Sequence, residues 1–240
     1  MTPAGRAATG TTRLSPALRA VPAVAIFARA PVPGKTKTRL IPTLGANGAA
    51  ELHRALVSDT LRKVEKLNNK AAFYLFVSGG GFPKKTVPDI FEWRRQRGRN
   101  LAQRLDRAFA ELLGRHSRVL VIGTDSPQFP PSTLSVALRE LLITDAVLGP
   151  CPDGGFYLIG LARMVRGLFS GVRMGTGLAF CDMLGNLLAR GFSCSVLEPC
   201  PDIDRGQDLS ALKKSLIETP ALRRLMPQTS RFVVKRLMQS

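Results

Sequence analysis

The sequence has few of the residues on which several common protein classes depend. Its 240 residues include four cysteines and two histidines, and no two cysteines have the CxxC spacing of a zinc site. Four thiols without a spacing pattern, in a chain of this length, are typical of a reducing compartment, where they stay free and mostly buried. The sequence therefore predicts neither a zinc centre nor a disulfide framework.

Long apolar segments and several enzyme signatures are also missing. No apolar run reaches the roughly 18 residues that span a bilayer, so no transmembrane segment is predicted. No GxSxG, HExxH or GxGxxG pattern stands in a fitting context. His53 and His116 have no acidic or thiol neighbour in sequence that would indicate a catalytic triad. Any chemistry must therefore come from other residue types.

Acidic residues are scarce relative to basic ones. The chain has 35 Lys and Arg against 17 Asp and Glu, a formal net charge of +18, and its first acidic residue is Glu51. Such a charge favours nucleic acid, a membrane surface or phosphorylated small molecules as partners. No basic strand studded with aromatic residues and no RNA-binding signature accompanies it. A nucleic-acid-binding module is therefore the weaker alternative.

The charge and apolar patterns divide the chain into three parts. Residues 1–20 contain arginines but lack the apolar core of a secretory signal, which predicts a basic flexible extension in a cytoplasmic protein. Organelle import through this extension is the alternative. Residues 21–218 are predicted to form one domain, since 45% of the chain is hydrophobic. Residues 219–240 are predicted to form a basic helical appendage that packs on it.

Apolar strands alternate with amphipathic helices along the domain. Strands are predicted over 23–27, 72–77, 118–123, 145–149, 156–161 and 193–197. Helices are predicted over 48–67, 101–112, 132–142 and 176–189, and after Asp204. Strands that are apolar throughout indicate a mixed, mainly parallel sheet covered on both faces, a three-layer α/β/α fold. Ligands of such folds bind at the carboxyl ends of the strands.

The loop after the first strand, residues 29–39, is a candidate phosphate-binding loop. It has four cations in eleven residues and Gly34 for a tight turn. Arginine binds phosphate in bidentate fashion and lysine supplies a compact charge. The run 34–36 spells GKT, but Arg29 stands where a P-loop needs glycine, and two prolines remove backbone donors. The alternative is a solvated basic loop.

Three further segments place carboxylates in turns. Asp125 follows the third predicted strand, where one carboxylate could hold Mg²⁺ with water and phosphate, or could form an Asx turn or a helix cap. Asp153 could accept hydrogen bonds from sugar hydroxyls or join a metal site, although Asp-Gly is also a common hairpin turn. Asp204 with Gln207 matches a capping box, whereas Asp202 lacks that explanation. Either could complete a metal site that begins with Asp125.

Five blocks between residues 21 and 216 resemble one family in order and spacing: AIFARAPVPGKTKTRL, GRNLAQRL, VIGTDSPQFP, GPCPDGGFYLIGL and DIDRGQDL. It is the bacterial family of GT-A-like glycosyltransferases associated with arsenosugar biosynthesis or nucleotide-diphospho-sugar transfer. The 2-phospho-L-lactate and molybdenum-cofactor guanylyltransferases are its neighbours. The resemblance implies a transferase with Mg²⁺ or Mn²⁺, a nucleotide-sugar donor and a small-molecule acceptor. Nucleotidyl transfer to a small phosphorylated acceptor and a catalytically silent binding protein are the alternatives.

The resemblance also implies roles for individual residues. The nucleotide phosphates would be bound by Arg29, Lys35, Lys37, Arg39 and Arg104. The metal would be held by Asp125, Asp202 and Asp204, and catalysis would depend on Asp125 and Asp153. The sugar or acceptor would contact Gly154, Gly155 and Tyr157.

The sequence departs from the family pattern at two places. Asn100 and Gln103 stand where the family's G-D-L-G-E-R block has its two acids, and Met174 stands where a tryptophan is usual. If those acids bind base, ribose or acceptor, the departures imply a shifted specificity or a reduced activity.

Overall fold

One seven-stranded mixed sheet organises the chain. The computed structural model describes residues 21–68 and 70–238, so the predicted extension over 1–20 lies outside the described residues. The strands are β1 (Ala23–Arg29), β2 (Ala72–Ser78), β3 (Phe91–Arg95), β4 (Val119–Ile122), β5 (Ala146–Pro150), β6 (Phe156–Leu161) and β7 (Cys194–Val196). Their order is β3-β2-β1-β4-β6-β5-β7. Since β6 is antiparallel to both neighbours and the other pairs are parallel, the predicted mixed, mainly parallel sheet is confirmed.

Each helix that the sequence predicts is present, whereas β5 and β6 follow one another without a helix and only a 3-10 turn separates β2 from β3. The helices are α1 (Ile41–Glu65), α2 (Leu101–Leu113), α3 (Ser132–Glu140), α4 (Ala179–Ala189), α5 (Gly206–Glu218), α6 (Leu222–Leu225) and α7 (Pro227–Val233). Short 3-10 turns cover Thr38–Leu40 and Lys84–Thr86, and a π-helical turn covers Val234–Met238. Gly45, with φ 69°, interrupts the first turn of α1. None of the helices within 21–68 and 70–238 is long and apolar enough to cross a membrane.

Two apolar layers, one on each face of the sheet, form most of the core. On one face α1 and α3 contribute Leu61 and Leu134. On the other, α2 and α4 contribute Phe109 and Met183, all of them almost fully buried. The three-layer α/β/α architecture is therefore confirmed. Each such side chain stabilises the fold by about 1.5–3 kcal/mol, and truncating Phe109 to alanine should cost about 3–5 kcal/mol.

The edge strand β3 is the element that the sequence pattern does not predict. Only Phe91 of its five residues is buried, and Glu92 and Arg95 are exposed. The Nζ atom of Lys84 lies 4.4 Å from the centre of the Trp93 ring, on the same edge. Charged residues are typical of edge strands, because they prevent pairing with other chains. A prediction based on apolar runs therefore misses this strand.

The C-terminal helices pack against α1. Phe232 and Val233 of α7 are buried in a cluster with Leu56 of α1. The buried Asp59 carboxylate of α1 accepts hydrogen bonds from the backbone N–H groups of Gln228, at 3.0 Å, and of Thr229, at 2.8 Å. These donors belong to the first turn of α7, where backbone N–H groups have no partner within the helix. A side chain from another helix thus caps α7 and anchors the C-terminal segment.

The start of α5 differs from the predicted capping box. The Asp208 carboxylate accepts from the backbone N–H groups of Arg205, at 2.6 Å, and Asp204, at 3.0 Å. The predicted box of Asp204 with Gln207 is wrong, because the chain stays extended through Arg205 and the helix begins one residue later. The Asp204 carboxylate is therefore available to residues outside the helix.

Candidate functional site

The site lies where the strand order reverses. β1 is flanked by β2 and β4, both parallel to it, so the loops that follow these strands leave the sheet at one edge. Such a switch point opens a crevice at the carboxyl ends of the strands. Two cavities occupy it, one of about 400 Å³ beside Asp125 and one of about 620 Å³ beside Gly79. They share Arg29, Ser78 and Arg104, and together they are called the cleft below.

Cations line the cavity beside Gly79. Arg29, at the end of β1, donates a hydrogen bond from Nη1 to the Lys35 carbonyl oxygen at 3.1 Å, which curls the loop 29–39 back on itself. Arg104, on α2, donates from Nε to the Gly98 carbonyl oxygen at 3.1 Å. No carboxylate lines this cavity within the described part of the chain. Arg29, Lys35 and Arg104 therefore form a wall of positive charge without a local counter-charge.

Lys37 lies apart from the other cations, among oxygen atoms. Its backbone is left-handed, with φ 47° and ψ 44°, and its side chain is 4% exposed. The Nζ atom is 2.8 Å from Asp125 Oδ1 and 3.9 Å from Asp204 Oδ1, and it donates to the Ile203 carbonyl oxygen. A left-handed backbone costs a lysine about 1–2 kcal/mol, which these contacts offset. Lys37, predicted at the phosphates, thus holds two loops of the site together.

Asp125 extends from the loop after β4 into the cleft. Its side chain is 48% exposed, so it faces solvent although protein atoms surround its base. Burial raises the pKa of this carboxyl, but the Lys37 ammonium, the His53 ring and hydrogen bonds from Lys37 and Thr124 outweigh it and place the pKa below its ordinary value. The carboxylate is therefore charged at neutral pH and has acceptor capacity left for a ligand.

Two more predicted carboxylates line the same cavity as Asp125. Asp153 accepts a hydrogen bond from the Gly155 N–H at 2.9 Å, which forms an Asx turn in the loop between β5 and β6. Burial and the charges of Asp153 and Asp125 raise the pKa of Asp202 to about 6, while Lys37 opposes the shift. Asp125, Asp153 and Asp202 thus form a wall of negative charge opposite the cations.

Asp204 and Arg39 form an ion pair beside this wall. An Arg39 Nη1 atom donates to Asp204 Oδ2, and the neighbouring carboxylate raises the pKa of the arginine. The structure therefore places Arg39 on a carboxylate rather than in either cavity of the cleft. Of the predicted metal ligands, Asp204 has two cationic partners already, whereas Asp202 has none within hydrogen-bonding distance among the described residues.

The oxygen atoms around Lys37 suit a hard divalent cation. Carboxylate and carbonyl oxygens of Asp125, Asp204 and Ile203 already surround a positive charge, the Lys37 ammonium. Within the residues that the structure describes, no group of three or more Asp, Glu, His or Cys side chains is arranged to hold a metal by itself. Mg²⁺ commonly takes only one or two carboxylates and completes its shell with water and phosphate oxygens. The donor set fits a cation that binds together with a nucleotide.

The predicted sugar or acceptor residues have structural tasks as well. Gly154 has φ 85°, and a Cβ atom there would lie 2.0 Å from the Gly177 carbonyl oxygen, so only glycine lets these two loops touch. Gly155 and Tyr157 line the cavity beside Asp125. The Tyr157 ring stacks on Phe129 at 5.5 Å, and its hydroxyl donates to the Glu198 carbonyl oxygen at 3.2 Å. Only the ring edge of Tyr157 is therefore available to a ligand.

His53 also lines the cleft, at a position that the sequence pattern does not predict. Its ring is 3% exposed, and Nε2 lies 2.9 Å from the Arg29 carbonyl oxygen. Burial lowers the pKa of His53, so the ring is neutral and donates from Nε2, which ties the end of β1 to α1. Its Nδ1 atom is buried and makes no hydrogen bond to any described residue. In the sequence, His53 stands beside Leu52 on an amphipathic helix and is typical of a core histidine.

Gln96 is the second residue of the cleft that sequence reasoning missed. Its Nε2 atom donates to the carbonyl oxygens of Ala28, at 3.1 Å, and Phe76, at 3.0 Å. It therefore bridges the ends of β1 and β2 from the residue after β3. Since β3 itself was not predicted, no sequence signal could place this amide at the site.

The two amides that depart from the family pattern cap α2. Asn100 Oδ1 accepts from the Gln103 N–H at 2.9 Å, and Gln103 Oε1 accepts from the Arg99 N–H at 3.1 Å. Asn100 and Gln103 border a separate cavity of about 280 Å³ on the other side of the helix start. From the same segment, Leu101 and Arg104 line the cleft. The two amides therefore alter the charge of a helix cap, and they replace no residue that lines the cleft.

The chain is similar to known proteins in part of its sequence and in its fold. Residues 60–176 match the family described as "Uncharacterized protein conserved in bacteria (DUF2064)". No curated protein matches the chain significantly. A protein from Desulfovibrio desulfuricans G20, named as a nucleotide-diphospho-sugar transferase, is 25% identical with a TM-score of 0.78, over 90% of this chain and 98% of its own.

Two nucleotidyltransferases share the fold at lower identity. A cytidylyltransferase from Leptospira borgpetersenii is 14% identical with a TM-score of 0.54, over 90% of this chain and 97% of its own. The 4-diphosphocytidyl-2C-methyl-D-erythritol synthase from Anaerococcus prevotii is 10% identical with a TM-score of 0.56, over 85% and 100%. The resemblance indicated by the sequence blocks is thereby confirmed: this chain matches the DUF2064 family over residues 60–176, and its fold is similar to that of a nucleotide-diphospho-sugar transferase and of nucleotidyltransferases.

Proposed function

We propose that this chain is a metal-dependent transferase whose donor is a nucleotide-sugar. The observation that supports it is the two-walled cleft at the carboxyl ends of β1 and β4. Arg29, Lys35 and Arg104 line one part of it, and Asp125 and Asp202 line the other. Phosphate oxygens bind such cations directly, and carboxylates hold the divalent ion that phosphates share. A diphosphate between the two walls would be neutralised by the cations on one side and by the divalent ion, held by the carboxylates, on the other.

Five residues in or beside the cleft have tasks in this proposal. A divalent ion at Asp125 would act as a Lewis acid on the diphosphate oxygens. Arg29 and Arg104 donate hydrogen bonds to phosphate oxygens and stabilise the negative charge that develops as the diphosphate leaves. Lys37, 2.8 Å from Asp125, fixes the position of that carboxylate. His53 and its bond to the Arg29 carbonyl oxygen fix the start of the phosphate loop.

Sugar transfer and nucleotidyl transfer differ in the bond that breaks. In sugar transfer, a hydroxyl oxygen of the acceptor, or of water when no acceptor is added, bonds to the anomeric carbon and loses its proton to solvent. The bond between that carbon and the β-phosphate oxygen breaks, and a nucleoside diphosphate leaves. In nucleotidyl transfer, a phosphate oxygen of the acceptor bonds to the α-phosphorus while the bond from that phosphorus to the bridging oxygen breaks, and pyrophosphate leaves. The name of the Desulfovibrio protein, at 25% identity over 98% of its length, supports the first.

Nucleotidyl transfer is the second candidate, and one observation favours it. The cavity of about 620 Å³ holds three cations without a counter-charge, enough for a triphosphate as well as a diphosphate. The cytidylyltransferases with the same fold support this candidate at the level of the fold alone.

A product assay separates the two candidates. Full-length protein is incubated with Mg²⁺ or Mn²⁺ and either UDP- and GDP-sugars or nucleoside triphosphates, and released nucleoside diphosphate and pyrophosphate are measured. We expect metal-dependent release of nucleoside diphosphate from a nucleotide-sugar, lost in Asp125→Asn and retained in Asp89→Asn, whose side chain is exposed outside the cleft. Pyrophosphate release without nucleoside diphosphate would replace sugar transfer by nucleotidyl transfer. Failure of calorimetry to detect binding of any nucleotide, with or without Mn²⁺, would overturn both.

A further inference from the structure

A second concave site lies outside the cleft, between α1, the segment 82–86 and the C-terminal helices. It is a cavity of about 370 Å³, within the range of small-molecule sites, and is called the helix groove below. Its floor is apolar and includes Val57 and Leu61 of α1, Phe82 and Phe232. A groove of this size with two aromatic side chains can bury a hydrocarbon chain.

The rim of the helix groove is strongly basic. Arg54 of α1, Arg231 of α7 and Lys235 are exposed there, and none of them makes a hydrogen bond or ion pair with another described residue. Among the residues that the structure describes, one carboxylate lines the groove, that of Glu51, which the Arg236 guanidinium binds at 3.2 Å. Three cations therefore converge on an apolar floor without a counter-charge. Clustered like charges repel one another, so an anion at the rim would relieve this repulsion.

The helix groove is separate from the cleft. Pro31 lines the groove, whereas Arg29 and Val32, its neighbours in the loop 29–39, line the cavity beside Gly79. The segment after β2 is divided in the same manner: Phe82 lines the groove, whereas Gly80 lines the cavity beside Gly79. These two segments form a wall, so a ligand in the groove touches the back of the phosphate loop and not Asp125.

We propose that the helix groove binds an amphipathic phosphate monoester, with its hydrocarbon chain on the floor and its phosphate at the rim. Burial of the chain favours binding in proportion to the apolar area that it removes from water. Two arginine forks and an ammonium match a phosphate dianion better than a carboxylate, whose single charge leaves most of the rim uncompensated. The site neither requires nor excludes the transferase proposed above, because it shares no residue with the cleft.

Calorimetric titration of the full chain with decyl phosphate, below the concentration at which it forms micelles, tests the proposal. We expect saturable binding of one molecule per chain. Binding should weaken at least 10-fold in Arg54→Ala and in Arg231→Ala, and less than 2-fold in the control Arg62→Ala, an exposed arginine of α1 outside the groove. Ser58→Phe keeps every charge but fills the floor, and it should also abolish binding.

Separate ligands test the two parts of the site. Inorganic phosphate and decanol, each offered at the same concentration, should bind at least 10-fold more weakly than decyl phosphate. Absence of saturable binding by decyl phosphate, equal binding of decyltrimethylammonium, or an equal loss in Arg62→Ala would overturn the proposal. Since Arg54 and Arg231 lie on different helices, a folding defect in one variant, seen by circular dichroism, leaves the other to decide.

Discussion

Asp59 and Asp125 are carboxylates with opposite surroundings. Asp59 is 1% exposed, and its two oxygens accept hydrogen bonds from the backbone N–H groups of Gln228 and Thr229. Asp125 is 48% exposed on the side of the cleft, and its partners, the Lys37 ammonium at 2.8 Å and the Thr124 hydroxyl at 3.5 Å, both contact Oδ1. A carboxylate has about four acceptor sites; in Asp59 a fixed backbone donor occupies one site on each oxygen, and burial closes the others to a ligand. Free acceptor capacity that faces a cavity, rather than charge or burial, distinguishes the carboxylate suited to chemistry.

The largest effect that this comparison predicts is on the activity of Asp125→Asn. We expect the turnover number to fall by more than about 100-fold, because even outer partners of metal ligands contribute roughly 10- to 100-fold. The thermal midpoint should change little, since the side chain is half exposed and Lys37 keeps its bond to the Ile203 carbonyl oxygen. Steady-state kinetics of the product assay and thermal unfolding measure both quantities. A loss of stability comparable to the loss in Asp59→Asn would remove the distinction.

Asp59→Asn should show the opposite pattern. The amide offers one acceptor oxygen, and its NH₂ group would face a backbone donor of α7, so a buried charge-assisted hydrogen bond is lost. We expect the free energy of unfolding to fall by about 3 kcal/mol. Urea denaturation measures this loss, and turnover per folded molecule should stay within about 2-fold. The exposed variant Asp89→Asn is the matched control, with a change expected within about 0.5 kcal/mol.

Lys63, one turn after Asp59 on α1, sharpens the comparison through pH. Its side chain is 2% exposed, its Nζ lies 4.7 Å from the centre of the Phe129 ring, and it donates to the Pro127 carbonyl oxygen. Burial lowers the pKa of Lys63 from 10.5 to about 8, although Asp59 opposes the shift. Between these two pH values the unfolded chain binds a proton that the folded chain does not, so stability rises with pH there.

The variant Lys63→Met isolates this contribution. Over the range from pH 8 to pH 10.5, wild type should gain about 3 kcal/mol of unfolding free energy relative to Lys63→Met. Below pH 8 the lysine is charged in both states, so the difference between the two proteins should be constant. Urea denaturation across this pH range measures it. Parallel curves for the two proteins up to pH 10.5 would show that Lys63 stays protonated in the folded chain.

The buried part of the fold could be predicted from the sequence, because it leaves a local signal. The strands predicted over 23–27 and 72–77, for example, are apolar throughout since both of their faces are buried. The structure differs from the prediction there by no more than two residues. β3 left no such signal, because an edge strand with charged residues needs only Phe91 for burial. Without β3, Gln96 could not be placed at the cleft.

The positions of the site carboxylates at strand ends could be predicted from the sequence, but the ion pairs of the site could not. Asp125 and Asp153 follow apolar strands, and the rule that ligands bind at strand ends brings them to one cavity. The position of Lys37 could not be foreseen, since it depends on a left-handed backbone and on the Ile203 carbonyl oxygen, 166 positions away. The ion pair of Arg39 with Asp204 depends on the same long-range packing. Residue types at strand ends thus predicted that Asp125 and Asp153 share a cavity, whereas the charge pairs of the site depend on tertiary structure.

The smallest effect concerns the two amides at the start of α2. Asn100→Asp with Gln103→Glu restores the family's acids and keeps both cap acceptors, the oxygens that now bind the N–H groups of Gln103 and Arg99. Negative charge at a helix start should add about 0.3–1 kcal/mol of stability, measured by urea denaturation. Because these side chains border a separate cavity, turnover and KM in the product assay should change by less than about 3-fold. A rise in turnover above 10-fold would show that the acids act on the cleft, through Leu101 or Arg104. Carboxylates that border the cleft would then matter for turnover as much as those that line it, such as Asp125.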